Sequence, residues 1–515
     1  MAVTLIMEAV MAEWRLYGLL LTATGLFTYL IVHILYNIYL HPLADVPGPL
    51  SWRALRLPYV RSLVRGAFIR DTLKMHLKYG PIVRVAPDEI SFAGADAATQ
   101  VLTGRGANPH AIPKDPRWTI PGEIELGLVT EIDHEVHARI RKLLAPAFTP
   151  AALRSQEPIL QLYSNLLIDR LREKAKAHEV VDMVRWFNFI SFDIFGDLAF
   201  GESWDCLQRS EYHSWIAYQT NTSRAGAIAA APAFYPWLYI ILKQLIPASL
   251  MKRVAEHIQF VSDKIQKRLN LEQEREDIMS HVLKSMERED LGGVSMGQIN
   301  TTFVELNIAG TETSASLLSA ILRLLLDNPD KLAMLTSEIR QRFPSQTSMT
   351  LESLKDLPYL DAVIREGGRL CPPVPWLAPR RVPPGDAGTV VCGTWLPGGT
   401  SLSVNLYAMH LSPMLFHSPN SFVPERWLPE ATTDPKSPCY NDQRQAVQIF
   451  TVGPRACIGR DLAWAEQRLI LAKLLWEFDL ESPPGEMGVP WIDQRVFMLI
   501  EKAPVNVVLR QRMDS

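Results

Sequence analysis

Cysteine is scarce and scattered in this chain: Cys206, Cys371, Cys392, Cys439 and Cys457 are odd in number and far apart. That argues against a disulfide framework and for a reducing compartment. No two of them stand at metal-finger spacing. No G-x-G-x-x-G follows a strand pattern, so the chain carries no dinucleotide or flavin module of its own. Neither sign of charge dominates: the formal net charge is −3 and the pI about 6.5, which gives nucleic acid nothing to hold. A dividing linker is also missing, although 515 residues would suffice for about three average domains. With 48% hydrophobic and 21% charged residues, the chain can bury one large core.

Between Leu16 and Ala44 there is no Asp, Glu, Lys or Arg. A helix over Leu16–Leu40 would be roughly 38 Å long, enough to cross a hydrocarbon core of about 30 Å with some tilt. The run is too long for a cleaved signal peptide, and no A-x-A-like site closes it. Residues 1–40 therefore read as a membrane anchor. Glu8, Glu13 and Arg15 precede it, whereas Arg53, Arg56, Arg61 and Arg65 follow. The positive-inside rule then puts the body in the cytoplasm, where the triplets starting at Asn221 and Asn300 stay unglycosylated. Residues 41–50, with His41-Pro42-Leu43 and Pro47-Gly48-Pro49, read as a stiff Pro-rich hinge, and residues 51–515 as one catalytic domain.

The stretch around which the chain is organised is Phe450 to Arg460, FTVGPRACIGR. Gly453 and Gly459 flank Cys457, and Arg455 precedes it by two positions. Glycines let a backbone press flat against a large planar object while its amides point at a thiolate. The residues that follow read as an amphipathic helix, whose N-terminal dipole favours negative charge at the sulfur. The plainer alternative is a buried cysteine beside a helix start.

Other segments carry chemistry only in combination. His134 to Phe148 is a basic helix in which His134 and His137 are three apart, so the H-E-x-x-H pattern of zinc proteases fails; His137 and Arg141, four apart, do share a face. Ser295 with Gln298 forms a capping box for a helix running to about Asp327, where Asn328-Pro329 can cap the next. Ala309-Gly310-Thr311-Glu312-Thr313 lies at its middle, and a helical glycine there costs about 1 kcal/mol. Either something needs the space or two helices cross. Glu366 and Arg369 fall on one helical face. Ile82–Ala86 and Glu89–Ala93 read as a hairpin, and Thr389–Cys392, Thr400–Asn405 and Val505–Arg510 as strands. Thr103–Gly127 reads as irregular, Leu160–Leu283 as several helices, and Leu428–Gln445 as an exposed insertion.

Taken together these stretches resemble the cytochrome P-450 superfamily from about His41 onward. F-x-x-G-x-R-x-C-x-G is filled by Phe450, Gly453, Arg455, Cys457 and Gly459. A-G-x-[DE]-T is filled by Ala309, Gly310, Glu312 and Thr313. E-x-x-R is filled by Glu366 and Arg369, followed by Pro424-Glu425-Arg426-Trp427, with Trp where Phe is commoner. The YLHPLADVPGPL hinge and the HARIRKLLAPAF helix look most like members from filamentous-fungal secondary metabolism.

The resemblance implies a mainly α fold with a small β-rich lobe behind an N-terminal transmembrane helix. It implies haem b on the thiolate of Cys457, propionates held by His137, Arg141 and Arg380, Arg455 among the cofactor-binding residues of the loop, and a local widening of the long helix at Ala309 and Gly310. Thr313 and Glu312 would pass protons to bound oxygen, while Glu366, Arg369 and Arg426 would form a structural network behind the haem loop. Ala225–Leu250 would roof the pocket and touch the membrane. The implied reaction inserts one atom of O₂ into an apolar polyketide, terpenoid or hybrid intermediate. Its electrons would come from NADPH through NADPH-cytochrome P-450 reductase, with cytochrome b5 as a further donor, docked on a basic face with Arg139, Lys142 and Arg460. The compartment implied is the endoplasmic reticulum membrane, crossed once. A haem-thiolate isomerase, dehydratase or peroxygenase, and a non-catalytic membrane-anchored haem or ligand binder, are the alternatives.

Overall fold

The computed structural model describes residues 2–104, 111–118, 125–212, 231–235, 248–270, 275, 277–287, 292–486 and 488–512. Most of the stretch at 225–250, and much of that at 103–127, lies outside the described residues. From the former, Phe234 is seated edge-on against Tyr59 and Trp118, ring centroids 5.7 Å away in each case.

A helix α1 spans Ala2–Leu35 and ends in a π-helical turn, Tyr36–Leu40. Its Met11–Leu40 portion has mean hydropathy 1.8 and is apolar and long enough to cross a membrane. The junction that follows is fastened rather than loose. Asn37 is buried and its side-chain amide donates to the carbonyl of Ala54 at 2.9 Å. Arg84, buried in the neighbouring hairpin, donates to the carbonyls of Asn37 (2.8 Å) and Leu43 (3.2 Å). Gly48 is required there, because a Cβ would lie 2.3 Å from the Arg84 carbonyl oxygen.

Two helices form the centre. In α4, Met183–Phe200, only Arg185 escapes burial, as the apolar, all-round pattern of WFNFISFDIF demands. Asp182 caps its start by accepting from Val184 N (3.1 Å), and Gly201 ends it in the left-handed conformation at φ 73°, a geometry that suits glycine. Against it packs α5, Met296–Asp327. The Ser295–Gln298 capping box is present in both directions at 3.0 Å. Asn328 acts differently from the sequence expectation: its side chain donates back to Leu324 O at 2.8 Å and does not cap the next helix.

The remaining site-bearing helices are α2 (His134–Leu144), α3 (Pro150–Lys176), α6 (Pro358–Leu370) and α7 (Arg460–Glu477). The expected amphipathic character of α7 is corrected by the structure. Ala465–Gln467 and Leu469–Leu475 are all buried, because α3, α5, α6 and Pro329–Arg342 surround the helix. Its charges are met inside: Lys473 donates to Gln161 Oε1 at 2.7 Å and Glu466 accepts from Ser314 Oγ at 2.8 Å.

Among the described residues nine strands make three small sheets. β1 (Ile82–Ala86) and β2 (Glu89–Phe92) form the expected hairpin. β7 (Ser401–Val404) extends it in parallel and β4 (Arg380–Arg381) pairs antiparallel with β7. β5 (Thr389–Val391) and β6 (Thr394–Leu396) form a second hairpin. β9 (Asn506–Gln511) lies between β3 (Val180–Asp182) and β8 (Phe478–Glu481). A mainly helical body with a small β-rich lobe is thus what the chain forms. The segment at 428–445 is no mere exposed insertion, since its Asp442 is buried against Arg426.

Candidate cofactor site

The cysteine loop is tied down from within. Cys457 N donates to Phe450 O at 2.9 Å and Ala456 N to Gly453 O at 3.0 Å. Gly453 has φ 83°, and a Cβ on it would lie 2.2 Å from the carbonyl oxygen of Leu102, so only glycine fits. From α2, Arg141 Nη1 donates to Ala456 O at 2.7 Å and stands near the Cys457 thiol. Cys457 is the one exposed cysteine of the five. Neighbouring atoms still crowd it: burial pushes the thiol pKa up, and the Gly459 amide, Arg141 and Arg460 work against that rise. Such a thiol becomes a thiolate when a metal takes the proton's place.

Beside the loop the structure gathers positive groups with little to neutralise them. Arg380 is buried, and its Nε and Nη1 have no hydrogen-bond partner. Burial, then repulsion from Arg455, lowers its pKa to about 10. His137 is buried on α2 with its pKa lowered to about 3 by burial and by Arg455, Lys114, Arg141 and His134. Lys114, bridged to β4 at Arg380, has its pKa lowered to about 7 by burial and then by Arg455 and Arg380. Guanidiniums, a lysine and a neutral imidazole converging in this way, one guanidinium with two orphaned N–H donors, fit a ligand that carries two carboxylates. The two propionates of haem meet that requirement, so the residues present fit the group implied by the sequence.

Lys114 was not among the residues singled out from the sequence. Nothing marks it there except a place between Pro113 and Asp115. Arg455 Nη1 and Nη2 donate to the carbonyls of Glu131 and Ile132, and Nη2 also reaches Asp133 O at 3.1 Å. Only its buried Nε is left without a partner.

A pH dependence follows for Lys114. In the haem-free chain it is neutral between about 7 and the ordinary lysine value of 10.5, whereas an anion beside it restores the ammonium. Haem loading should therefore take up a proton in that window, and affinity should fall as pH rises through it. The Cys457 thiol titrates in the opposite sense, so the comparison is with Lys114→Met. If the two proteins show the same pH dependence of haem affinity from 7 to 10, Lys114 is not part of the cradle.

The middle of α5 holds the other expected group. Thr313 Oγ1 donates to Ala309 O at 2.6 Å, which commits its proton and leaves its lone pairs to accept. Ala309 is exposed although Leu306, Asn307, Thr311 and Glu312 around it are buried. At Gly310 the helix assignment is unbroken, and a Cβ there would lie 2.9 Å from the Phe195 ring. The glycine is there so that α4 and α5 can cross closely. Glu312 is buried, with Oε2 on the ammonium of Lys502 and Oε1 without a partner.

Behind the loop, Glu366 and Arg369 on α6 and Arg426 are all wholly buried. Arg369 donates to Glu366 through Nη2 (2.7 Å) and Nε (2.9 Å), and Arg426 Nε donates to the same carboxylate at 3.0 Å. Trp427 Nε1 adds a further bond to it at 2.9 Å, which accounts for Trp in place of Phe. Asp442 on Arg426 Nη1 was missed from sequence because it lies inside a polar, Pro-containing stretch.

A sequence model of the family described as cytochrome P-450 matches residues 47–507. The cytochrome P-450 monooxygenase lcsI of Purpureocillium lilacinum is 39% identical over 486 residues, covering 94% of this chain and 92% of that one. The averantin hydroxylase of Dothistroma septosporum is 39% identical over 488 residues, covering 93% and 89%. The cytochrome P-450 monooxygenase stcF of Emericella nidulans is 38% identical over 487 residues, covering 94% and 98%.

Proposed function

The chain belongs to the cytochrome P-450 family, and we propose that it is a membrane-anchored monooxygenase that hydroxylates an apolar small molecule of fungal secondary metabolism. The observation that carries this reading is the combination, in one chain, of an exposed Cys457 in a glycine-held loop and a helix that exposes Ala309 beside Glu312 and Thr313. The similarity to an averantin hydroxylase supports hydroxylation as the reaction.

In this reading Cys457 would hold the iron of haem b through its thiolate, and Lys114, His137, Arg141 and Arg380 would meet its propionates. Arg455 assists from the loop through its Nε and fixes the chain at 131–133. When bound, the haem supplies activation of O₂. Residues 1–40 hold the enzyme in the endoplasmic reticulum membrane with residues 51–515 on the cytoplasmic side, as the apolar helix and the arginines after it support. Electrons would come from NADPH through NADPH-cytochrome P-450 reductase, aided by cytochrome b5. The docking face would include Arg139, Lys142 and Arg460.

The remaining steps belong to side chains. Thr313, its own proton committed to Ala309 O, accepts a hydrogen bond on the oxygen side and holds a proton-bearing water there. Glu312 is the nearest carboxyl in sequence to replenish that proton. The test begins with the compound that accumulates in a strain lacking the protein, fed to the purified enzyme with reductase and NADPH. It should be oxygenated. In the same assay Thr313→Ala should remain haem-replete and consume NADPH, while product per NADPH falls and hydrogen peroxide rises. Unchanged coupling in a haem-replete variant would remove Thr313 from the relay.

A further inference from the structure

Lysine side chains are almost never covered unless they are paired, and the side chain of Lys502 is only 6% exposed. It follows Phe497-Met498-Leu499-Ile500 near the C-terminus. The loop is folded back on itself by a bridge between Val496 and Ile500, a bond from Glu501 N to Arg495 O at 2.9 Å, and one from Ala503 N to Gln494 Oε1 at 2.9 Å. Arg495 and Glu501 pair with each other at 2.7 Å on the outside. That leaves Lys502 pointing inward alone, with its ammonium on Glu312 Oε2 and a longer contact to Ser316 Oγ at 3.4 Å.

We propose that Lys502 is the positioning residue of the proton relay: it holds one oxygen of Glu312 so that the other, Oε1, stays free to exchange protons on the Thr313 side. The inference rests on reading Glu312 as the relay carboxyl. Three observations carry it. The side chains of Glu312 and Lys502 are both covered, so the pair is not a solvent-screened surface bridge. The two carboxylate oxygens are inequivalent, Oε2 being bound and Oε1 buried without a partner. Thr313 gives its only proton to Ala309 O, so a proton reaching the oxygen side has to be supplied from beyond Thr313.

Among the described residues the other cation near this group is Arg185, exposed on α4 and seated over the Tyr212 ring at 5.8 Å from its centroid rather than on the Glu312 carboxylate. From α4 and the segment after it come Asn188 and Tyr212, joined at 2.9 Å, with Glu312 within electrostatic reach of the Tyr212 hydroxyl. On its own helix stand Ser316 and Thr313. Asn188 Oδ1 and Ser191 Oγ on α4 are buried without partners, polar atoms of the kind that ordered water satisfies. If Lys502 loses its charge, the carboxylate is left buried without a counter-charge, a situation that favours the neutral acid. A purely mechanical staple between the C-terminal loop and α5 would not depend on that charge.

The experiment compares wild type, Glu312→Gln, Lys502→Met and Lys502→Arg, each haem-replete by absorbance. Two readouts are taken: infrared absorption in the protonated-carboxyl region, and product and peroxide per NADPH with the accumulated compound as substrate. Lys502→Met should gain a protonated-carboxyl band that disappears when Glu312→Gln is added, and should lose most of its coupling, approaching Glu312→Gln. Lys502→Arg should show no new band and recover coupling. If Lys502→Met does not load haem, Lys502→Gln, which keeps a donor without the charge, is read in its place. Full coupling in Glu312→Gln would overturn the relay reading itself. Loss of coupling in Glu312→Gln but not in Lys502→Met, or equal loss in Lys502→Met and Lys502→Arg, would leave that reading intact and reduce Lys502 to a staple.

Discussion

Glu366→Ala should give a protein that is aggregated or free of haem. One carboxylate answers both buried guanidiniums: Arg369 through two bonds and Arg426 through one, with the Trp427 indole and the Val423 amide also donating to it. Asp442 is the second carboxylate and reaches only Arg426. Two cations and two anions therefore balance in the interior. Removing Glu366 leaves Arg369 with carbonyl partners alone, at His410 (2.8 Å), Pro419 (2.6 Å) and Ser421 (3.1 Å).

Breaking a buried ion pair by deleting one partner costs about 3 to 5 kcal/mol, against the roughly 5 to 15 kcal/mol that holds a typical domain. The defect is also placed to reach the cofactor. Gly368 on α6 packs so tightly on Ile449 that a Cβ would lie 2.8 Å from its Cδ1, and Ile449 directly precedes the cysteine loop. Loss of the network should therefore loosen the loop that begins at Phe450. Haem content, solubility and thermal unfolding of Glu366→Ala decide the matter. A soluble, haem-replete and active variant would mean that Arg369 and Arg426 are satisfied by backbone carbonyls and Asp442 alone.

What was legible in the sequence was what is local. The β1–β2 hairpin, the Ser295–Gln298 box and the i,i+3 pair on α6 each depend on residues within a few positions of one another. The partners that complete them come from far along the chain and leave no periodic trace. Asp442 meets Arg426 across a polar segment, Lys114 meets Arg380 across a β-bridge, and Lys502 meets Glu312 from 190 positions away. β3 and β8 were missed for the same reason: β3 is three residues long, and both pair with a terminal strand that periodicity cannot indicate. The α7 helix was misjudged because burial on all sides depends on how many helices surround it. Gly310 teaches a narrower lesson. Its cost in helix propensity was correctly noticed, but whether the space belongs to a ligand or to Phe195 is decided only by the helix that crosses it.

Cys457→His should abolish monooxygenation and move the Soret band of the reduced carbon monoxide complex away from the strongly red-shifted position that thiolate ligation produces. The loop can present only one side chain there. Gly453 cannot take a side chain because of the Leu102 carbonyl, and the Cys457 backbone is fixed by its bond to Phe450 O. The other thiols are poor substitutes: Cys206, Cys371 and Cys439 are buried, and Cys371 has its pKa pushed far up by burial. Cys392 is partly accessible but sits between β5 and β6, its amide bonded to Gln100 Oε1 at 2.7 Å. Histidine in place of Cys457 would offer a neutral nitrogen, and the positive groups nearby, Arg141 and Arg460, would then face no thiolate charge. Cys392→Ser, by contrast, should keep both spectrum and activity and serves as the control. If Cys457→His retains the red-shifted band, another thiolate is the ligand and the site built here around residues 450–460 is misassigned.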